Sequence, residues 1–235
     1  MKIFVINPNT SKSMTEHIFR ELERIKRIDT EIKVQCNRKG PETIDSEYHE
    51  VMTIPYTLEL VKKANVEGFD AVIIAAFPDP GIIAAREISN IPIFGIEEVS
   101  LHIAAMLGAK FTVLTTLQQR VPSKRAHVYI RGLVNYLASV RSLGQSTAEN
   151  DADPERTKNR VIEVGRKAIE EDGAEVLILG CAGMAGYSYE IEAQLGVPVI
   201  DPTTVTFKIV EAMVDLGLKH SKIGLFAKPP DNPFK

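Results

Sequence analysis

The side chain best placed to do chemistry is Cys181, set in Gly180-Cys181-Ala182-Gly183-Met184-Ala185-Gly186 directly after the apolar run Val176-Leu177-Ile178-Leu179. A thiol works as an acid or base only when its pKa, ordinarily about 8.5, suits the working pH. Small residues on either side let a ligand approach the backbone closely. A helix starting just beyond would aim free N–H groups at the same point and lower the thiol. A second position belongs with it. Gly68-Phe69-Asp70-Ala71-Val72-Ile73-Ile74-Ala75-Ala76 matches Gly173-Ala174-Glu175-Val176-Leu177-Ile178-Leu179-Gly180-Cys181 without a gap, so Ala76 is the counterpart of Cys181, 105 positions away. Ile91-Pro92-Ile93 and Val197-Pro198-Val199 repeat at a slightly larger offset, as do Met106-Leu107-Gly108 and the stretch from Met213 to Gly217. Two acid/base groups on opposite faces of one carbon are what racemisation needs, because one takes the proton and the other returns it from the far side. This chain has a thiol at one of the two positions.

Holding both positions at one point requires strands that end there. The continuous apolar runs Lys2 to Ile6, Val72 to Ala76, Phe111 to Leu114 and Val176 to Leu179 read as strands buried on both faces, the signature of parallel sheets. Glu31 to Gln35, Ile91 to Ile96, Val197 to Ile200 and Lys222 to Phe226 read as further strands. Helices are expected from Ser13, with capping-box spacing to Glu16, to about Arg27. Others are expected from Tyr48 to Asn65 with Pro55 as a start or kink, through Ala84 to Glu87, from Leu101 to Leu107, from Asp153 to Glu171, and up to about Leu216 before a proline-rich tail. Gln145 to Pro154 is polar and without periodicity, and reads as a loop. The expected architecture is α/β with two pseudo-symmetric lobes of parallel sheet, residues 1–95 with 205–235 and residues 96–204, and a site in the cleft between them. Ligands of open α/β sheets sit beyond the strand C-terminal ends, which makes Asn9 and Thr10 candidates for substrate contact. Local turn and cap hydrogen bonding is the alternative for both.

The 235 residues, 44% hydrophobic and 25% charged with a formal net charge of −3, fit an ordinary globular protein and give no reason to expect a nucleic-acid or membrane partner. No apolar run approaches the roughly 20 residues of a spanning helix, and the start lacks a signal-peptide pattern, so a cytoplasmic protein is expected. Cys36 and Cys181 are the only cysteines, which excludes a four-thiolate metal site and argues against a disulfide framework. We expect a small-molecule substrate, no metal and a homo-oligomer.

Four motifs, in order and spanning nearly the whole chain, carry a resemblance: Ile6-Asn7-Pro8-Asn9-Thr10, Phe77-Pro78-Asp79-Pro80-Gly81 followed by Ala84-Ala85-Arg86-Glu87, Val113-Leu114-Thr115-Thr116, and Gly180-Cys181-Ala182-Gly183-Met184-Ala185. Together they resemble the hydantoin racemase group of the aspartate/glutamate racemase superfamily, which includes allantoin racemases. The resemblance implies two flavodoxin-like lobes, no cofactor, and two catalytic cysteines, the second falling on Cys181 and the first on Ala76. Ala76 then reads as an inactivating replacement of a thiol, either lost naturally or removed by design, and the intact motif after it favours design.

Taking a proton from a hydantoin or allantoin carbon leaves an enolate-like anion, which backbone N–H groups of Phe77 and Asp79 and of Ala182, Gly183 and Met184 are expected to stabilise. Pro78 has no N–H to give. Asn9, Thr115 and Thr116 are expected on the remaining ring groups, with Arg120 either in the site or on the surface. An aspartate or glutamate racemase is the enzymatic alternative, but the cysteine loops lack cations for two carboxylates, and Ala182-Gly183 stands where those enzymes usually have threonine and histidine. The non-enzymatic alternative is a binding protein on a degenerate racemase scaffold. A nucleotide-binding protein is disfavoured by the lack of Gly-x-Gly-x-x-Gly after the first strand and of a P-loop.

Overall fold

A computed structural model describes residues 1–230. The chain runs β1 (Lys2–Asn7), α1 (Lys12–Ile25), β2 (Glu31–Cys36), α2 (Glu47–Val66), β3 (Ala71–Ile74), α3 (Ile82–Ile88), β4 (Ile93–Gly95) and α4 (Ile96–Leu107). It continues with β5 (Phe111–Thr115), α5 (Val121–Ile130), β6 (Leu137–Ser142), α6 (Thr147–Ala152), α7 (Pro154–Asp172), β7 (Val176–Leu179), α8 (Ser188–Leu195), β8 (Val199–Ile200) and α9 (Pro202–Asp215). The strands form two four-stranded sheets, ordered β2-β1-β3-β4 and β6-β5-β7-β8, with every pairing parallel. Each half therefore uses the same order of second, first, third and fourth strand. The two central strands of each sheet are buried along nearly their whole length, which is why they read as unbroken apolar runs rather than as alternating ones.

The repeat extends to individual hydrogen bonds. Ala75 N–H donates to Ile6 O at 2.8 Å, and Gly180 N–H donates to Leu114 O at 2.8 Å. One turn later Asp79 N–H donates to Ala76 O, as Met184 N–H does to Cys181 O. Gly180 has a specific reason to be glycine: a Cβ there would stand 2.5 Å from Leu114 O.

The two sheets are tied by an exchange of helices. After β4, helix α4 begins in the first lobe's core with Ile96 and ends in the second lobe's with Leu101 and Ala104, beside Phe111, Val113 and Val176. After β8, helix α9 returns the other way, with Phe207 and Val210 packed on Ile3, Val5 and Ile73. The two exchanged helices also pack on each other.

Several expectations need correction. Helix α1 starts at Lys12, not after Ser13, because the Ser11 side chain accepts from Met14 N–H. Pro55 lies inside α2, which Ser46 caps. The polar stretch expected as a loop contains α6, closed by a reciprocal capping box between Ser146 and Glu149. Lys222 to Phe226 forms no strand. The edge strand β4 offers only three residues, the His220 ring lies against Ile93 there, and Ile223 and Leu225 remain exposed. Residues 231–235, the end of the proline-rich tail, lie outside the described residues. No helix of the described residues is long and apolar enough to cross a membrane.

Candidate active site

Strands β3 and β7 end at one cavity between the sheets. Asn9, Ala76, Phe77, Thr115, Thr116, Arg120, Cys181 and Ala182 line it, joined by Met14, Ile44, Lys124 and Thr147, which the sequence reading did not single out. The empty space between its walls is about 460 Å³, open solvent at the mouth included. Ala76 and Cys181 thus face the same space from corresponding ends of corresponding strands.

Of the expected donors, Phe77 and Ala182 are free at the cavity and the others are not. Asp79 and Met184 spend their N–H groups on the turn bonds to Ala76 O and Cys181 O. Free donors come earlier: among the described residues the N–H groups of Ala76, Phe77, Cys181 and Ala182 have no protein acceptor, giving a matched pair on each side. Gly183 and Met184 stay out of the lining; Gly183 N–H approaches the thiol, and Met184 is buried in the second lobe's core.

The thiol itself departs from expectation. Only one 3₁₀ turn, Ala182–Met184, follows Cys181, and the next helix begins at Ser188, so there is no long dipole to depress its pKa. Burial instead pushes the Cys181 thiol up to about 11; the Asp45 and Asp151 carboxylates add to this, while Gly183 N–H and the Thr147 hydroxyl oppose it. Both carboxylates are fixed across the lobes. Asp45 accepts from Thr147 N–H at 3.2 Å and from its hydroxyl at 2.7 Å, and Asp151 accepts from the Ser13 hydroxyl at 3.1 Å.

Asn9 lines the cavity, but its side chain is already committed: Oδ1 accepts from Ser11 N–H at 2.9 Å and Nδ2 points at Met14 Sδ. The local capping alternative therefore describes its polar atoms. Thr10 lies outside the lining and bonds to Pro41 O through both its N–H and its hydroxyl. The hydroxyls of Thr115 and Thr116 make no bond to protein among the described residues and are available to a ligand. Asp79 is also outside the lining. It sits at φ 50 and caps the exchanged helix α4, accepting from Glu97 N–H at 2.9 Å and Glu98 N–H at 2.8 Å, with Arg131 at 3.1 Å. Burial, together with Glu97 and Glu98, raises its carboxyl well above the ordinary range. Gly95 makes room for it, since a Cβ there would lie 2.2 Å from the carboxyl carbon.

The cavity also contains cations, which come not from the cysteine loops but from Arg120 and Lys124 at the start of α5. Arg120 is buried and paired with Glu50 and, at 3.3 Å, with Glu47, both on α2 of the other lobe. One turn along α5, Lys124 is buried, 3.2 Å from Glu97 and 5.1 Å from the Phe77 ring centroid. Their spacing of four residues is the signal that would have found Lys124 beside Arg120 had a helix been assigned there. Among the described residues, no three His, Cys, Asp or Glu side chains gather as metal ligands would.

The family model for Asp/Glu/Hydantoin racemase matches residues 3–210. A hydantoin racemase of Pseudomonas sp. (strain NS671) is 40% identical over 229 residues, covering 97% of this chain and 92% of that protein. The solved allantoin racemase from Klebsiella pneumoniae superposes with a TM-score of 0.95 at 33% identity, over 99% of this chain and 95% of that one. The allantoin racemase from Pseudomonas fluorescens superposes with a TM-score of 0.94 at 34% identity, over 99% and 98%.

Proposed function

Since the chain belongs to the Asp/Glu/hydantoin racemase family, we propose that its cavity takes a 5-substituted hydantoin-type ring, a hydantoin or allantoin. Cys181 moves the proton on the carbon between a ring carbonyl and a ring nitrogen, without metal or cofactor. The reading is carried by one observation: Ala76 and Cys181 leave equivalent strands through equivalent hydrogen bonds and line one cavity. The unpaired N–H groups at 76–77 and 181–182 suit the carbonyl oxygens of a flat ring held between the two loops, and Thr115 and Thr116 suit its remaining polar edge.

Position 76 is where the opposing acid/base group belongs, and a methyl group cannot carry a proton. The chain as it stands therefore exchanges the α-proton of one enantiomer with solvent but does not interconvert enantiomers. Loss of a positioned acid/base group ordinarily costs about 10²- to 10⁴-fold, and here an obligatory proton donor is missing, so the upper end or beyond applies. Ala76→Cys is expected to restore racemisation, followed by optical rotation, and Cys181→Ser to abolish the remaining deuterium incorporation. An Ala76→Cys protein that binds hydantoins tightly yet racemises none of them refutes the two-thiol mechanism. In that event the second reading, a binding protein on a racemase scaffold, takes its place; the alanine at 76 and the high pKa of Cys181 favour that alternative.

An uncharged ring remains the preferred substrate class, but on different grounds from those of the sequence. The cavity's cations are matched by carboxylates, Arg120 by Glu47 and Glu50 and Lys124 by Glu97. Only Lys124, with donors to spare beside Glu97, is left to meet negative charge, one cation too few for two substrate carboxylates. Calorimetry with hydantoins, allantoin, aspartate and glutamate tests this, and tighter binding of the dicarboxylates rejects it.

A further inference from the structure

We propose that Lys124 is a further catalytic residue, whose side-chain N–H groups hold the negative charge that collects on a ring carbonyl oxygen when Cys181 removes the proton. The inference rests on the ring-binding reading above and names the group that would stabilise its anion.

Three observations carry it. Lys124 lines the cavity and is 3% exposed, so no solvent satisfies it fully. Its Nζ has three donors and, among the described residues, a single acceptor, Glu97. Nζ lies 5.1 Å from the Phe77 ring centroid, beside the loop whose own N–H groups are unpaired. Arg120 differs in this respect, with both of its terminal nitrogens engaged by Glu50 and Glu47. Glu97 is also heavily shared, accepting from His127 at 2.8 Å and lying 3.4 Å from Arg131, so it does not monopolise the lysine. Burial and Arg120 push the Lys124 ammonium down while Glu97 opposes them. A poorly solvated ammonium with spare donors gains most by meeting an oxyanion.

The ring C–H bond breaks, its proton goes to the Cys181 thiolate, and the electron pair spreads onto the adjacent carbonyl oxygen. Lys124 keeps its protons and donates a hydrogen bond to that oxygen; return of a proton or deuteron from Cys181 reverses the step.

The decisive probe is 5,5-dimethylhydantoin, which has no ring C–H to react but whose acidic N–H ionises to place charge on the same carbonyl oxygens. Its binding is measured by calorimetry from pH 6 to 10 in two buffers of different ionisation enthalpy, which reports proton release. The parent is expected to bind the ring anion at least about tenfold more tightly than the neutral ring, the scale of one hydrogen bond to a charge. Lys124→Met should lose that preference and Lys124→Arg keep most of it. Deuterium incorporation into a reactive hydantoin should fall about 10²-fold in kcat in Lys124→Met with little change in KM, as when a single oxyanion donor is removed. Because Lys124→Met takes one of three basic partners from the buried Glu97, the paired variant Lys124→Met with Glu97→Gln removes both charges and should show the same losses. If the parent binds the dimethyl ring but Lys124→Met and the paired variant keep the anion preference, the role of Lys124 is overturned and the ring-binding reading stands. If the parent does not bind the ring at any pH, both fall together.

Discussion

The thiol of Cys181 is where position and environment pull in opposite directions, and a titration separates them. In a Cys36→Ser background, Cys181 is the only thiol, and its alkylation by iodoacetamide, followed by mass spectrometry, reports the thiolate. A thiol of pKa 9 is about 10% ionised at pH 8, whereas one held at about 11 is about 0.1% ionised. Charge alone therefore slows alkylation about a hundredfold, and the rate should climb about tenfold per pH unit until roughly pH 10. The same shift has a sign in stability. The folded thiol stays protonated between pH 9 and 11 while the unfolded one ionises, so folding is favoured below pH 9, and this contribution is lost as pH rises towards 11. Two pH units correspond to about 3 kcal/mol, read as the narrowing stability difference between parent and Cys181→Ser in urea titrations. Asp45→Asn and Asp151→Asn each remove a charge that raises the thiol, and each should move the alkylation midpoint downward. An alkylation rate that levels off below pH 9 refutes this account and restores the activated thiol that the glycine loop suggested.

Two structural predictions are independent of catalysis. Arg120→Leu leaves Glu50 buried without its partner and should cost about 3–5 kcal/mol in urea denaturation, much of which Arg120→Leu with Glu50→Leu recovers; a loss under 1 kcal/mol would mean the pair is not buried as described. Gly95→Ala drives a Cβ into the Asp79 carboxyl and off the α4 amides, with an expected loss of about 3 kcal/mol on thermal melting, and an unchanged Tm would contradict the cap.

The features legible in the sequence were those that burial makes monotonous. Val72 to Ile74 and Val176 to Leu179 are apolar on both faces because helices cover both, and their repetition exposed the symmetry before any fold was known. What stayed hidden is where polar residues face inward. Helix α5 has Arg120 at its start and Lys124 on its buried side, with only Val121 and Val128 as buried apolar residues, so no apolar stripe marks it. Helix α6 is short and polar, yet Ser146-Thr147-Ala148-Glu149 has capping-box spacing, a local signal outweighed by the lack of periodicity. Strand β6 is a half-buried edge carrying Ser139, Arg141 and Ser142. Burial sets the direction of the Cys181 pKa, and the groups that act on it besides, Asp45, Asp151 and Thr147, come from segments far from it in sequence.

The exchange of α4 and α9 explains why the site can sit at a seam without the seam opening freely. Counted by repeat, β1 to α4 and β5 to α9, each half packs the last helix of the other: the first core takes Phe207 and Val210 of α9, and the second takes Leu101 and Ala104 of α4. Phe207 is fully buried against Ile3, Val5 and Ile73, so Phe207→Ala should cost about 3–5 kcal/mol. If the lobes were separate units, that loss would fall on the first lobe alone, and denaturation would split into two transitions. With the helices exchanged, unfolding either lobe strips a helix from the other, and the whole loss should appear in one transition. The chain has no tryptophan and six tyrosines, so far-UV circular dichroism is the global probe and hydrogen exchange at β3 and β7 amides the local one. Equal loss of protection in both strands supports a single cooperative unit. Loss confined to β3, with β7 at parent protection, would refute the coupling and leave the cavity walls free to move independently.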